Sequence, residues 1–161
     1  MRKFSLLIIL TALLLPLQVL ADDMSGLMPE SIGKFQRIEL LVGQEAQDAV
    51  DKLHGKPLPA EASAVARYAE ADSKQRPAEV WVSRVSSEKE ARRQTGQMVH
   101  MMYENPRSPF KNPGRIEHAG NAIYRFEGMG QVHLIWFKGD LVWWVSVDGA
   151  NVQTMLEAFS Q

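Results

Sequence analysis

Gln131-Val132-His133-Leu134-Ile135-Trp136-Phe137-Lys138-Gly139-Asp140-Leu141-Val142-Trp143-Trp144-Val145-Ser146-Val147-Asp148 reads as two strands folded about a two-residue turn. Gly-Asp between two apolar runs is a type II′ signal, because the first turn position needs φ > 0. That turn sets a register in which Lys138 faces Leu141, Trp136 faces Trp143, Leu134 faces Val145 and Val132 faces Val147. Side chains alternate along a strand, so these pairs share one almost wholly apolar face, which belongs in a core. The other face pairs Phe137 with Val142, Ile135 with Trp144, His133 with Ser146 and Gln131 with Asp148. It is apolar near the turn and polar at its far end. Such a face is either covered by a second layer or left as a patch that binds something.

Working outward, residues 122–127 supply a third strand. They pair with residues 116–118 in a hairpin around Gly120-Asn121, and Gly128 and Gly130 flank Met129 at the next corner. On the far side, residues 151–159 form a closing helix with Val152, Met155, Leu156 and Phe159 on one face. Residues 87–103 carry the strongest helical pattern. Ser87 and Glu90 make a capping box, and Ala91, Thr95, Met98, Val99 and Met102 form the apolar stripe. Residues 104–115 follow as a loop, broken by Asn105-Pro106, Ser108-Pro109 and Asn112-Pro113-Gly114.

The N-terminal half adds a strand at 35–41, expected near an edge because of its charges. A short helix at 44–54 has Ala46, Val50 and Leu53 at helical spacing and Gly55 as its stop. Strands at 64–70 and 79–85 flank a polar loop. Residues 22–30 are polar and are expected to fray. Runs of strands punctuated by helices predict an α+β fold: a mostly antiparallel sheet with a long helix and a C-terminal helix packed on it. A second arrangement, with helices on both faces, has the element order of the sandwich in the PsbP and Mog1 proteins.

The chain opens like a secretory signal. Arg2 and Lys3 precede an apolar run over residues 4–15, and Val19-Leu20-Ala21 fits a small-residue cleavage site. The expected organisation is a cleaved signal peptide at 1–21 and a single α+β domain at 22–161, periplasmic or secreted. The run is short for a bilayer span, so contact with the membrane is expected only during export. With no cysteine, the domain can have neither a lipid-modified cysteine nor a disulfide, and must stand on its apolar core. Taking Arg2 and Lys3 from the 18 basic residues leaves 16 against 19 acidic ones, a net charge of −3 after cleavage. That balance argues against nucleic acid as a partner.

Three constellations carry possible chemistry. His133, Ser146 and Asp148 lie close together on the mixed face, yet Ser146 sits within a strand and lacks the strained turn that presents a nucleophile. A polar cross-strand pair is the expectation. Met98, His100, Met101 and Met102 are soft donors of the kind that hold Cu(I), but helical spacing assigns Met98 and Met102 to the apolar stripe. The loop carries Arg107, Lys111 and Arg115 around Phe110 and no acid between residues 105 and 115, and reads either as an anion-binding or partner-contacting segment or as a solvated connector whose Phe110 tucks into the core.

Leu53-His54-Gly55-Lys56, Val80-Trp81-Val82-Ser83 and Gly128-Met129-Gly130-Gln131 resemble segments of an uncharacterised family of small exported bacterial proteins. The resemblance implies domain limits covering most of the mature chain, and no activity. The expected function is therefore that of a non-catalytic binding or accessory domain for a protein or a small apolar ligand, without a cofactor. The expected surface joins His133, Ile135, Phe137, Val142 and Trp144 with Arg107, Phe110 and Lys111. The alternative is a periplasmic copper-binding protein using methionine and histidine.

Overall fold

A computed structural model describes residues 24–161; the expected signal peptide lies outside the described residues. Eight strands form one antiparallel sheet in the order β1-β2-β3-β4-β8-β7-β6-β5. The strands are β1 (Ser31–Ile32), β2 (Phe35–Val42), β3 (Ala62–Glu70), β4 (Ala78–Arg84), β5 (Lys111–His118), β6 (Asn121–Gly128), β7 (Gln131–Lys138) and β8 (Leu141–Val147). Three helices accompany them: α1 (Gly43–His54), α2 (Glu88–Glu104) and α3 (Val152–Phe159). The sheet is two antiparallel meanders, joined in its centre where β4 pairs with β8.

The β7–β8 hairpin has the register its turn dictates, with Trp136 opposite Trp143 and Leu134 opposite Val145. Gly139 has φ 57°. In β4, Val80 continues the row of Val145 and Leu134, and Val82 continues the row of Trp143 and Trp136. This face forms the main core beneath Met155, Leu156 and Phe159 of α3. Trp136 and Trp143 stack at 5.7 Å with their planes 3° apart.

The opposite face carries α1 and α2, with a groove left open between them. Ala91 of α2 closes over Val142 and Phe137, while Met102 and Val99 close over Ile135 and Phe126. The long helix and the C-terminal helix thus both pack on the sheet, from opposite sides, as in the second arrangement. Helix α2 begins at the expected cap, with the Glu90 N–H donating to Ser87 Oγ at 3.2 Å, but the Glu90 carboxylate accepts from Arg93 and Gln94 instead of closing the expected capping box.

Four local features differ from the reading of the sequence. Residues 111–115, expected to belong to the 104–115 loop, instead begin β5 and pair with β6, with an irregularity between Lys111 and Gly114 at the Pro113 position. Residues 22–30 were expected to fray; their described part instead buries Met24 and Met28 in the main core, and Pro29 accepts a hydrogen bond from the Tyr68 hydroxyl at 3.0 Å. The methionine spacing did not advertise this, because a short 3-10 turn at Ser25–Leu27 aligns them. Strand β2 bulges between Arg37 and Glu39, leaving Ile38 59% exposed. The extra residue switches the alternation, so Phe35, Leu40 and Val42 all reach the same core. Finally, the β5–β6 turn is Ala119-Gly120, with φ 47° and 77°, and Asn121 is already paired with His118. Two central residues of positive φ make a type I′ turn, and the same holds for Met129-Gly130.

Candidate functional site

The residues expected to form a binding face are divided by α2. Ile135 and His133 are buried, and Val142 is buried except at its edge. Phe137 lies under the Arg92 guanidinium, 5.3 Å from the ring centroid. This part of the mixed face is core, because the apolar stripe of α2 needs a partner and finds it here. Phe110 leaves its loop to pack edge-on against His133 at 4.8 Å and Trp144 at 5.6 Å. Arg107 and Lys111, on either side, point to solvent, and Arg115 pairs with Glu117 at 3.0 Å.

Under Phe110 lies a closed polar chain. His133 Nε2 meets the Gly128 carbonyl at 3.0 Å, which can only accept, so Nε2 carries the proton. Nδ1 then accepts from the Ser146 hydroxyl at 2.8 Å, and Ser146 Oγ accepts from Trp144 Nε1 at 3.0 Å. Burial pushes the His133 pKa down, against a smaller upward pull from the Gly128 carbonyl. Asp148 takes no part; its carboxylate accepts from the Ala150 N–H and from Asn151. The arrangement is the polar cross-strand pair, with the imidazole neutral and every hydrogen-bonding atom of the ring engaged.

Gly128 has a second role. A Cβ there would stand 2.6 Å from the Pro109 carbonyl oxygen. Only glycine lets the 105–110 loop come so close, and that approach brings Phe110 over His133.

The open part of the mixed face lies nearer the sheet centre. Trp81 of β4 and Trp144 of β8 are direct cross-strand neighbours. Together with Val142 they floor a shallow groove, open to solvent, between α1 and α2. Val50 and Leu53 line the α1 side, and Met98 and Met101 line the α2 side. Leu53 is 50% exposed and Met101 67%, so both rims offer apolar side chains to solvent.

The end of the groove is built by the loop after α1. Gly55, at φ 66°, caps the helix: its N–H donates to Lys52 and the Lys56 N–H to Asp51. These two bonds are the Schellman pattern, which reverses the chain. Asp51 then accepts from the Leu58 N–H at 2.9 Å, and Gln47 donates to the Leu58 carbonyl at 3.0 Å. From the other wall, Gln94 of α2 donates to the Pro59 carbonyl at 2.9 Å. The loop is thereby tied to both helices, and His54, Lys56 and Leu58 join the groove lining. His54 Nδ1 bonds the Val50 carbonyl at 2.8 Å, which fixes its ring.

The soft donors on α2 diverge. Met98 and Met101 face the groove, Met102 is buried over Ile135, and His100 reaches Glu104 at 3.1 Å. Among the described residues no three His, Asp or Glu side chains gather as a metal site.

Trp144 and Val142 were legible from the hairpin alone. Trp81, Leu53, His54, Lys56, Met98 and Met101 were not identified as neighbours of these two. They come from two separate stretches, 53–58 and 81–101, that fold beside the hairpin to line this groove. No protein-family model, no curated protein and no solved structure matches the chain.

Proposed function

We propose that this chain is an exported, non-catalytic binding domain that takes a small apolar ligand into the groove between α1 and α2. The observation that carries this reading is the pair Trp81 and Trp144, set side by side on a floor that the flanking helices leave uncovered. Tryptophan offers a large apolar surface, and a folded chain left to itself covers such surface. Leu53 and Met101 at the rims extend the same apolar character outward. A concave, mostly apolar site with a few fixed polar groups is the usual form of a small-molecule site. The buried His133 and Ser146 support a binding role over a catalytic one, since neither has an atom turned toward the groove. Calorimetric titration of the purified chain with naphthalenemethanol, an uncharged flat probe, tests the reading. Saturable binding weakened by Trp144→Ala and by Trp81→Ala is expected; no binding of this probe or of its charged analogue overturns it.

A second reading is a soft-metal site. One observation favours it: Met98, Met101 and His54 line the same groove, and the bond from His54 Nδ1 to Val50 leaves Nε2 as its ligand atom. Competition for Cu(I) against a chelator decides it, with stoichiometric binding lost in Met98→Leu and Met101→Leu as the result that would promote it.

A further inference from the structure

The groove is apolar along its floor and polar at one end, and the polar end has one sign. Among its described lining residues Lys56 is the single fixed charge, and no carboxylate lines it. Lys56 stands where the Schellman turn reverses the chain, one residue beyond the cap. Asp51 in that turn accepts from the Leu58 N–H and from Gln47 Nε2 at 2.8 Å. Lys56 is exposed and lines the groove, and Asp51 is not part of that lining.

The α2 wall adds a donor. Arg93 Nη1 donates to Gln97 Oε1 at 2.7 Å. An amide whose oxygen is taken presents its NH2 end, so Gln97 Nε2 remains for a ligand. An ammonium and an amide donor beside an aromatic floor match a molecule with an acceptor-only, negatively charged head and a flat apolar body. The floor itself favours a ring over a chain, because two neighbouring indoles pair well with a planar aromatic partner.

Resting on the groove reading above, we infer that the ligand is a small aromatic carboxylate. Its ring lies over Trp81 and Trp144, and its carboxylate meets Lys56 and the Gln97 amide. Charge complementarity between the mouth and the head group selects the acid over the neutral analogue. The attraction is partly screened, because the mouth is open to water, so it weakens as salt rises.

The test is calorimetric titration of the full chain at low salt with a naphthoate, the matching naphthalenemethanol, and octanoate. The naphthoate is expected to bind about two- to fivefold tighter than the alcohol, the range for one ion pair at an exposed site. Lys56→Gln should bring that ratio to about one, while Lys89→Gln, on an exposed part of α2 away from the groove, should leave it in place. Equal affinity for acid and alcohol in the unaltered chain, or a ratio that Lys56→Gln does not move, overturns the carboxylate assignment while the groove reading stands. Octanoate binding tighter than the naphthoate overturns the ring assignment. Failure of all three probes overturns the groove reading, and this inference with it.

Discussion

Trp81 and Trp144 sit directly opposite each other across the β4–β8 ladder, on the sheet face that α1 and α2 cover only at its flanks. The next residue along β8, Trp143, faces the other way and stacks on Trp136 in the main core. One strand thus carries adjacent tryptophans with opposite tasks, and the alternation of side chains is the whole cause.

This division predicts unequal costs of truncation. Trp143 is 4% exposed and lies against both Trp136 and Phe159. Trp143→Ala should cost roughly 3–5 kcal/mol, enough to unfold the domain or lower its melting point steeply. Trp81→Ala should cost much less, since its ring is only partly covered. Thermal melts of the two variants check this, and equal losses would mean that the groove is closed in solution.

The neutral state of His133 makes stability depend on acid. Its folded pKa lies below the ordinary value of 6.5, because burial disfavours the charged ring. The unfolded chain therefore takes up the proton first as pH falls. The contribution is fully present above 6.5 and is lost as pH drops from there through the depressed folded value. Denaturant titrations over this range should show stability falling in the unaltered protein and a shallower fall in His133→Asn. Identical slopes would show that His133 does not govern the acid limb.

Gly128→Ala should disturb the loop more than the strand. The new methyl would press on the Pro109 carbonyl, so the 105–110 segment must move and take Phe110 off His133. Overpacking of this kind costs about 1–3 kcal/mol. Limited proteolysis should find new cleavage near Arg107 or Lys111, and an unchanged digestion pattern would contradict the account of this corner.

Ser87→Ala removes the cap of α2 and should cost about 1 kcal/mol, without change in ligand affinity. A denaturant midpoint shift alone measures it. Loss of ligand binding in this variant would show that the groove wall depends on the helix start.

Much of this fold is written locally. The β7–β8 register follows from one Gly-Asp turn, and the start of α2 follows from Ser87 and Glu90. Features set by distant partners could not be read in the same way. The β2 bulge exists because Phe35 and Leu40 must reach the same core from positions of opposite parity. Met24 and Met28 are buried in a core shared with α3 and the sheet, far from them in sequence. The candidate site was half legible for the same reason. Trp144 announced itself in the hairpin, but its neighbour Trp81 is brought there by the β4–β8 pairing, which no turn specifies. The covered state of Ile135 and Phe137 likewise depends on where α2 crosses the sheet, which its stripe alone does not say.

The indole N–H resonances of the four tryptophans test the central claim most directly. Trp81 and Trp144 floor the groove, Trp143 also belongs to its lining, and Trp136 lies in the opposite core. Proton–nitrogen spectra recorded while a naphthoate is added should show the Trp81 and Trp144 signals moving along a saturable course and the Trp136 signal holding still. Movement of the Trp136 signal, or no movement of the Trp81 and Trp144 signals at saturating probe, would contradict the assignment of this groove as the binding site.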